Sequence, residues 1–254
     1  MLNLSIVILT CNQKAYTVRV LSSLRDLMRE ESGTEVIIID NGSTDGTDEA
    51  VAAMCLGWGK RLTYRCLDRN IGVAAGRNAG LSIASRDAIL ILDNDTIVSA
   101  DAIRYLYHRL MNDSTIGLIA PALHSPEGTL QESAKPYPGL GIKLRHFISQ
   151  HWRRHDEAAP PRECEPDYVM GACQMFRRET QQLVGPFDEH IFYGPEDADF
   201  CLRVRAQGLR VIYAPAVCII HDWQRATSRH RFSRLSMLHI RALLYFYRKH
   251  SRIF

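Results

Sequence analysis

The sequence predicts an α/β fold: a mostly parallel central sheet flanked by helices, closed by a C-terminal helical tail. Three observations predict it. Strand-like and helix-like hydrophobic patterns alternate through the first half of the 254 residues, the signature of β-α-β units. Polar residues (Thr10, Asp40, Asp68 and Asp93) punctuate the strand ends, where open parallel sheets bind ligands. The apolar run Ala88-Ile89-Leu90-Ile91-Leu92 passes directly into Asp93-Asn94-Asp95, as a buried strand does when it emerges at a site.

In chain order, Leu4 to Leu9 reads as the first strand, and Tyr16 to Arg29 as a helix with Val20, Leu21, Leu24, Leu27 and Met28 on one face. Glu35 to Ile39 is a second strand. It runs into Asp40-Asn41-Gly42-Ser43-Thr44-Asp45-Gly46-Thr47, dense in turn and N-cap residues, which opens a helix through Val51, Ala52 and Met54. Leu62 to Leu67 is a third strand and Gly72 to Ser85 a small-residue helix. Ala88 to Leu92 is the fourth strand, followed by a helix over Ala100 to Met111. Gly117 to Pro121 reads as another strand. From His124 to Pro166 the periodicity fades into Pro, Gly, His and Arg, which predicts a long excursion. Order returns at Tyr168 to Phe176 and at Val211 to His221.

The bulk properties exclude several classes. No apolar run approaches the roughly 18 residues of a membrane span. The start, Met1-Leu2-Asn3-Leu4, lacks a basic region and a small-residue cleavage site, so it reads as core strand rather than signal peptide. Seven scattered cysteines with no C-x-x-C pair argue against a zinc site and a disulfide framework, and fit a reducing cytoplasm. The net charge of +3 is uneven: residues 225–254 carry seven Arg, one Lys and no acid, or +8, leaving −5 on the rest.

Four constellations carry chemistry. Asp93 and Asp95, two residues apart at a strand exit, can converge on a hard divalent cation such as Mg2+ or Mn2+ beside a diphosphate. Asn70-Ile71-Gly72-Val73-Ala74-Ala75-Gly76-Arg77-Asn78-Ala79-Gly80 packs three glycines and three alanines into one helix. Small residues let a helix lie close to a sheet or ligand, and Arg77 within it suggests a base or phosphate contact. It is not a dinucleotide fingerprint. Glu196-Asp197-Ala198-Asp199 opens a helix after Gly194-Pro195, where acids serve the helix dipole or, next to a sugar, general-base catalysis. His221, directly after the strand Val217-Cys218-Ile219-Ile220, offers a further metal contact.

Together these segments resemble the family 2 glycosyltransferases, inverting enzymes of the GT-A fold. The matching residues are Ser5-Ile6-Val7-Ile8-Leu9-Thr10, Val36-Ile37-Ile38-Ile39-Asp40-Asn41-Gly42-Ser43-Thr44-Asp45, Asn70-x-Gly72 through Gly80, and Leu92-Asp93-Asn94-Asp95. Gly185-Pro186-Phe187-Asp188-Glu189 and Glu196-Asp197-x-Asp199-x-Cys201-x-Arg203 extend the resemblance to roughly residues 4–221. It implies a domain over 1–224, with a nucleotide-binding half (1–112) and an acceptor-binding half (113–224), and a separate basic helical segment at 225–254. It also implies nucleotide contacts from Thr10, Asn12, Asp40, Asn41, Arg77 and Asp93, and a cation held by Asp95 and His221. Asp197 is the implied base, with Glu196 and Asp199 supporting it or the acceptor. The donor implied is a nucleoside-diphosphate sugar and the acceptor a glycan or lipid-linked glycan. The ending Arg241 to His250 resembles rhamnosyltransferase-like members that use dTDP-rhamnose. The Gln-x-x-Arg-Trp motif of processive synthases is absent, which implies one sugar per encounter.

Two other readings compete. A sugar-nucleotide pyrophosphorylase calls for a Gly-rich, Arg-containing turn after the first strand, where this chain has Thr10-Cys11-Asn12-Gln13-Lys14. A non-catalytic nucleotide- or carbohydrate-binding module has no need of Asp197. In the tail, Leu235, Leu238, Ala242, Tyr245 and Phe246 share one helical face. Met237, Ile240, Leu244 and Tyr247 line a second flank, with Arg234, Arg241 and Arg248 at every seventh residue. Such a helix can pack on the protein and touch an anionic membrane surface, giving a peripheral location on the inner face of the cell membrane. Nucleic acid is not an expected partner, because the rest of the chain is net acidic and shows no recognition motif.

Overall fold

A computed structural model of the protein describes residues 1–54, 57–137, 162–222 and 234–250, those at 234–236 by backbone alone. The middle of the predicted excursion, 138–161, lies outside the described residues, as do 223–233. The first half folds as its pattern predicts. Strand β1 (Leu4–Thr10) is followed by helices α1 (Lys14–Ser23) and α2 (Arg25–Glu30), then β2 (Thr34–Asp40), α3 (Thr47–Met54) and β3 (Leu62–Cys66). Next come α4 (Val73–Leu81), β4 (Ala88–Asp93), the short β5 (Thr96–Ile97) and α5 (Ala100–Met111).

The single helix expected over Tyr16 to Arg29 is two. Leu24 (φ −86°, ψ −5°) flattens the backbone between them while its amide still bonds back to Val20 and Leu21. The apolar face survives this break: Val20, Leu21, Leu24, Leu27 and Met28 are all buried.

Strands β1 to β4 run parallel in the order β3-β2-β1-β4, with Thr10 paired to Asp40, and Leu9 to Asp93. That register sets the carboxyl ends of three strands side by side. The second half adds β6 (Ile116–His124), β7 (Leu130–Gln131), β10 (Cys173–Arg177) and β11 (Arg210–His221) to the same nine-stranded sheet. A separate pair, β8 (Ala134–Lys135) and β9 (Tyr168–Val169), forms a small second sheet. Strand β10 is antiparallel to both of its neighbours, β4 and β6, whereas β11 is parallel to β6. His221, at the end of β11, therefore faces the same rim as Asp93.

Both faces of the sheet are covered, as parallel strands require. Side-chain alternation sends Ile6, Ile8, Leu90 and Leu92 to the layer of α1, α2 and α5. Val7, Ile37, Ile89 and Ile91 go to the opposite layer, with α4 and with helices α6 (Arg178–Val184) and α7 (Glu196–Ala206). Gly76 and Gly80 let α4 press directly on Leu9 and Val7, so a methyl group at either position collides with β1. Helix α8 (Arg234–Lys249) docks behind α7 through Ala242 and Phe246, with Phe246 stacked on Tyr137.

Candidate active site

The parallel strands bring Asp93, Asp95 and His221 together although His221 is more than a hundred residues from the acids in sequence. One ligand atom from each lies within 4.8 Å of the others. The backbone locks the two segments, since the Asp222 amide donates to the Asp95 carbonyl (2.9 Å) and β5 pairs His221 with Thr96. His221 is buried, and burial pushes its imidazole pKa down, keeping the ring neutral. Gln131 fixes its orientation: the amide nitrogen donates to the His221 carbonyl (2.8 Å), so Oε1 faces Nδ1 at 2.7 Å. Nδ1 must then carry the proton, and the lone pair of Nε2 is aimed at Asp95 Oδ1, 3.6 Å away.

Two acceptors so placed have nothing between them to share. Asp95 Oδ1 is buried without a hydrogen-bond partner among the described residues. Burial, reinforced by the negative charge of Asp93, pushes the Asp95 carboxyl up to about 7. A divalent cation relieves all three defects at once: the orphaned oxygen, the carboxylate repulsion and the unused imidazole lone pair. Two carboxylates and one imidazole fit Mn2+ or Mg2+, with open positions left for other oxygen ligands.

The expected nucleotide contacts divide into two kinds. Asn12 and Asp93 reach solvent at the rim; Thr10, Asp40, Asn41 and Arg77 are buried. Thr10 shares its hydroxyl with Thr17 (2.7 Å) and the Asn94 amide (3.1 Å). Asp40 accepts from the Ser43 amide (2.7 Å) and the Tyr64 hydroxyl (2.6 Å), which shapes the turn after β2. Asn41 donates to Asn70 and the Gly72 carbonyl and accepts from the Ile71 amide. Asn12, in the left-handed region at φ 52°, accepts from the Thr44 amide (2.8 Å). The Thr10 hydroxyl and two nitrogens of the Arg77 guanidinium point inward and bond to neighbours, while Arg77 Nε is buried without a hydrogen-bond partner among the described residues.

Arg77 is the centre of the arrangement. Its side chain is 3 % exposed, and it donates to Asp93 (2.8 Å), Glu196 (3.3 Å) and the Gly171 carbonyl (3.1 Å). The Gly171 amide in turn donates to Asp197 Oδ2 (3.1 Å), while the Ala198 amide holds Oδ1 (2.7 Å). One guanidinium thus ties the rim acid Asp93 to the acids that open α7. Gly171 is required for it, because a Cβ there sits 2.8 Å from Arg77 Nη1.

The three acids of α7 have different surroundings. Burial pushes the Asp197 carboxyl upward. Burial likewise raises Glu196, to about 8, against the pull of Arg77. Asp199 is fully buried and points away from the rim, into Arg203 (2.8 Å), Lys249 (2.6 Å) and His250 (2.8 Å). Those partners outweigh desolvation and hold its carboxyl below the usual range. Its bonds to Lys249 and His250 tie α8 to α7. Gly194, in the turn before α7 at φ 133°, lies where any side chain collides with the His239 ring of α8. Asp68 sits exposed beyond the outermost strand, away from the group formed by Asp93, Asp95 and His221. Gln131 and Gly171 carried no signal in the sequence: one falls in the irregular stretch, and the other lies inside the ordered segment Tyr168 to Phe176, where the structure forms a turn that the pattern does not mark.

A parallel rim of acids joined to an acid-bearing helix across an antiparallel strand is the architecture of a GT-A glycosyltransferase. Matching folds bear this out. A mannosyltransferase of Pyrobaculum calidifontis, solved in complex with GDP-Man and Mn2+, aligns with TM-score 0.65 at 20 % identity, covering 88 % of this chain and 58 % of that one. GalNAc-T7, solved with UDP, GalNAc and Mn2+, aligns with TM-score 0.67 at 18 % identity, over 89 % of this chain and 45 % of that one. The sequence model described as Glycosyl transferase family 2 matches residues 5–182, and the chain belongs to that family. Among its relatives is the N-acetylglucosaminyl-diphospho-decaprenol L-rhamnosyltransferase of Mycobacterium tuberculosis, 27 % identical over 98 % of this chain and 85 % of that protein.

Proposed function

We propose that this glycosyltransferase moves a single sugar from a nucleoside-diphosphate sugar, dTDP-rhamnose or a UDP-sugar, to a hydroxyl of a lipid-linked glycan, inverting the anomeric centre. The biology is assembly of a cell-surface polysaccharide. The near full-length similarity to a rhamnosyltransferase named for a diphospho-decaprenol acceptor supports the choice of donor and acceptor. The observation that carries the reaction type is the Arg77 bridge, which holds Asp93 and, through Gly171, Asp197 in one hydrogen-bonded unit.

In this reading residues 1–112 supply most of the donor site. Asn12, Asp40 and Asn41 shape the rim for the nucleoside, Thr10 and Arg77 brace it from behind, and Asp93 meets the ribose. Asp95 and His221, with Asp93, hold the divalent cation. When bound, Mn2+ or Mg2+ supplies Lewis-acid neutralisation of the charge that develops on the departing diphosphate. Residues 113–224 supply the acceptor side. Asp197 takes the proton of the acceptor hydroxyl, whose oxygen attacks the anomeric carbon as the carbon–oxygen bond to the diphosphate breaks. That bond's electron pair leaves with the nucleoside diphosphate. The raised basicity of a buried carboxylate suits it to this proton transfer. A single in-line displacement inverts the centre, so no nucleophile from the protein is needed. Glu196 keeps Arg77 in place beneath both sites.

The test is a donor panel with a water-soluble glycan-diphosphate acceptor, following nucleoside-diphosphate release and the anomeric configuration of the product by NMR. Transfer with inversion that is lost on chelation supports the reading. Retention of configuration, or release unaffected by chelation, overturns it.

A further inference from the structure

Helix α8 has a second face that the fold does not use. Ala242, Phe246 and His250 point into the protein, where Phe246 meets Tyr137 and His250 bonds to Asp199. Diametrically opposite, Met237, Ile240 and Leu244 are 58 %, 55 % and 65 % exposed. Arg241 and Arg248 are exposed on the same side. At 3.6 residues per turn these five residues fall within an arc of about 100°. Isolated exposed apolar residues are ordinary; three in register on one helix, flanked by arginines, form an interaction surface. Tyr247, expected on this flank, is instead half-buried against Phe246.

We propose that this face docks in the plane of an anionic lipid bilayer, with Met237, Ile240 and Leu244 entering the acyl boundary and Arg241 and Arg248 on lipid phosphates. Charge decides for this occupant. No acid lies anywhere from Arg225 to Phe254, so the face carries only positive charge. A second copy seated on the same face by a two-fold axis sets arginines against arginines with no acid of the helix to offset them. An anionic membrane supplies the missing counter-charge, at roughly fivefold in partitioning per basic residue. The buried face of α8 stays bonded to Asp188 and Asp199 throughout, so docking requires no unfolding. The inference deepens the proposed function, because a lipid-linked acceptor presents its sugar at such a surface.

Co-sedimentation of the full chain tests it, using vesicles of phosphatidylcholine alone or mixed in equal parts with phosphatidylglycerol. Transfer to a water-soluble acceptor and thermal unfolding are measured in parallel. The wild type is expected to bind the mixed vesicles, and less as salt rises. Arg241→Gln with Arg248→Gln is expected to weaken binding about 25-fold. Met237→Ser with Leu244→Ser is expected to weaken it at least tenfold. Both variants retain wild-type unfolding and soluble transfer. Wild-type protein that ignores anionic vesicles, or variants that bind as well as the wild type, overturn the inference and leave the transfer reaction standing. A dimer in light scattering that the variants abolish, without vesicle binding, also overturns it and reassigns the face to a second copy. Vesicle binding without transfer from any donor leaves the surface in place and removes the catalytic reading.

Discussion

Asp93 with Asp95, and Asp188 with Asp199, are two pairs of carboxylates in one protein, and their surroundings are opposite. The second pair is saturated with positive partners. Lys249 reaches both acids at 2.6 Å, Tyr245 donates to Asp188, and His250 and Arg203 bond to Asp199. Both carboxyls of that pair are held below the ordinary range, Asp188 chiefly by Lys249 against the cost of burial. The first pair has one guanidinium on Asp93, an oxygen on Asp95 without a partner among the described residues, and a neutral imidazole beside it. A chain that could neutralise one pair so fully left the other under-compensated. One pair fastens a helix, and the other, with His221, is the candidate cation site.

Asp197 and Asp199 repeat the contrast two residues apart on α7, and replacing each by Asn sharpens it most. Asp197→Asn is expected to lower kcat by about 10²–10⁴-fold with little change in donor KM, measured by steady-state transfer. Asp199→Asn leaves kcat near that of the wild type. Equal losses from the two replacements break the distinction between base and anchor.

Next in size is Gln131→Ala, which frees His221 to rotate or change tautomer. A partner that orients a metal-binding histidine is worth about 10–100-fold in metal affinity, so Mn2+ titration of transfer activity is expected to shift by that amount. Asp199→Asn costs stability instead. Breaking a fully buried pair costs roughly 3–5 kcal/mol, and because Lys249 and Arg203 keep access to water we expect about 2 kcal/mol by chemical denaturation.

The smallest effect is on acid stability. The folded-state pKa values of Asp188 and Asp199 lie below the unfolded value of about 3.9. Their stabilisation is therefore complete above that value and lost as pH falls through the folded values. Thermal unfolding at pH 3 compared with pH 6 is expected to fall more steeply in the wild type than in a double Asp188→Asn, Asp199→Asn variant. Parallel slopes contradict the anchoring role.

Much of this was legible in the sequence because it is local. Apolar runs and period-3.6 patterns mark β1, β2 and β4 and the helices between them, and Asp95 and His221 each read as following an apolar strand. That β11 runs parallel to β6, with β10 antiparallel to both β6 and β4, is what puts them at one rim. Arg77 is legible as an anomaly in a small-residue helix, but not by its purpose. Its partner Glu196 is 119 residues away, and only the insertion of β10 beside β4 brings them together. Thr10 reads as a ligand contact because it is a polar residue at a strand end, and Asn41 because the family resemblance implies one. Their engagement with Asn94, Thr17 and Asn70 depends on loops whose path has no periodic signal. The docking of α8 is hidden for the same reason: Lys249 reads as one more charge in a basic tail until Asp188 is placed beneath it.

The most direct test of the central contrast is a count of Mn2+ ions bound, by electron paramagnetic resonance, with UDP or dTDP present. Wild type and Asp199→Asn are expected to bind one ion per chain, and Asp95→Asn none in the same concentration range. Undiminished binding in Asp95→Asn would contradict the assignment of the rim to a cation.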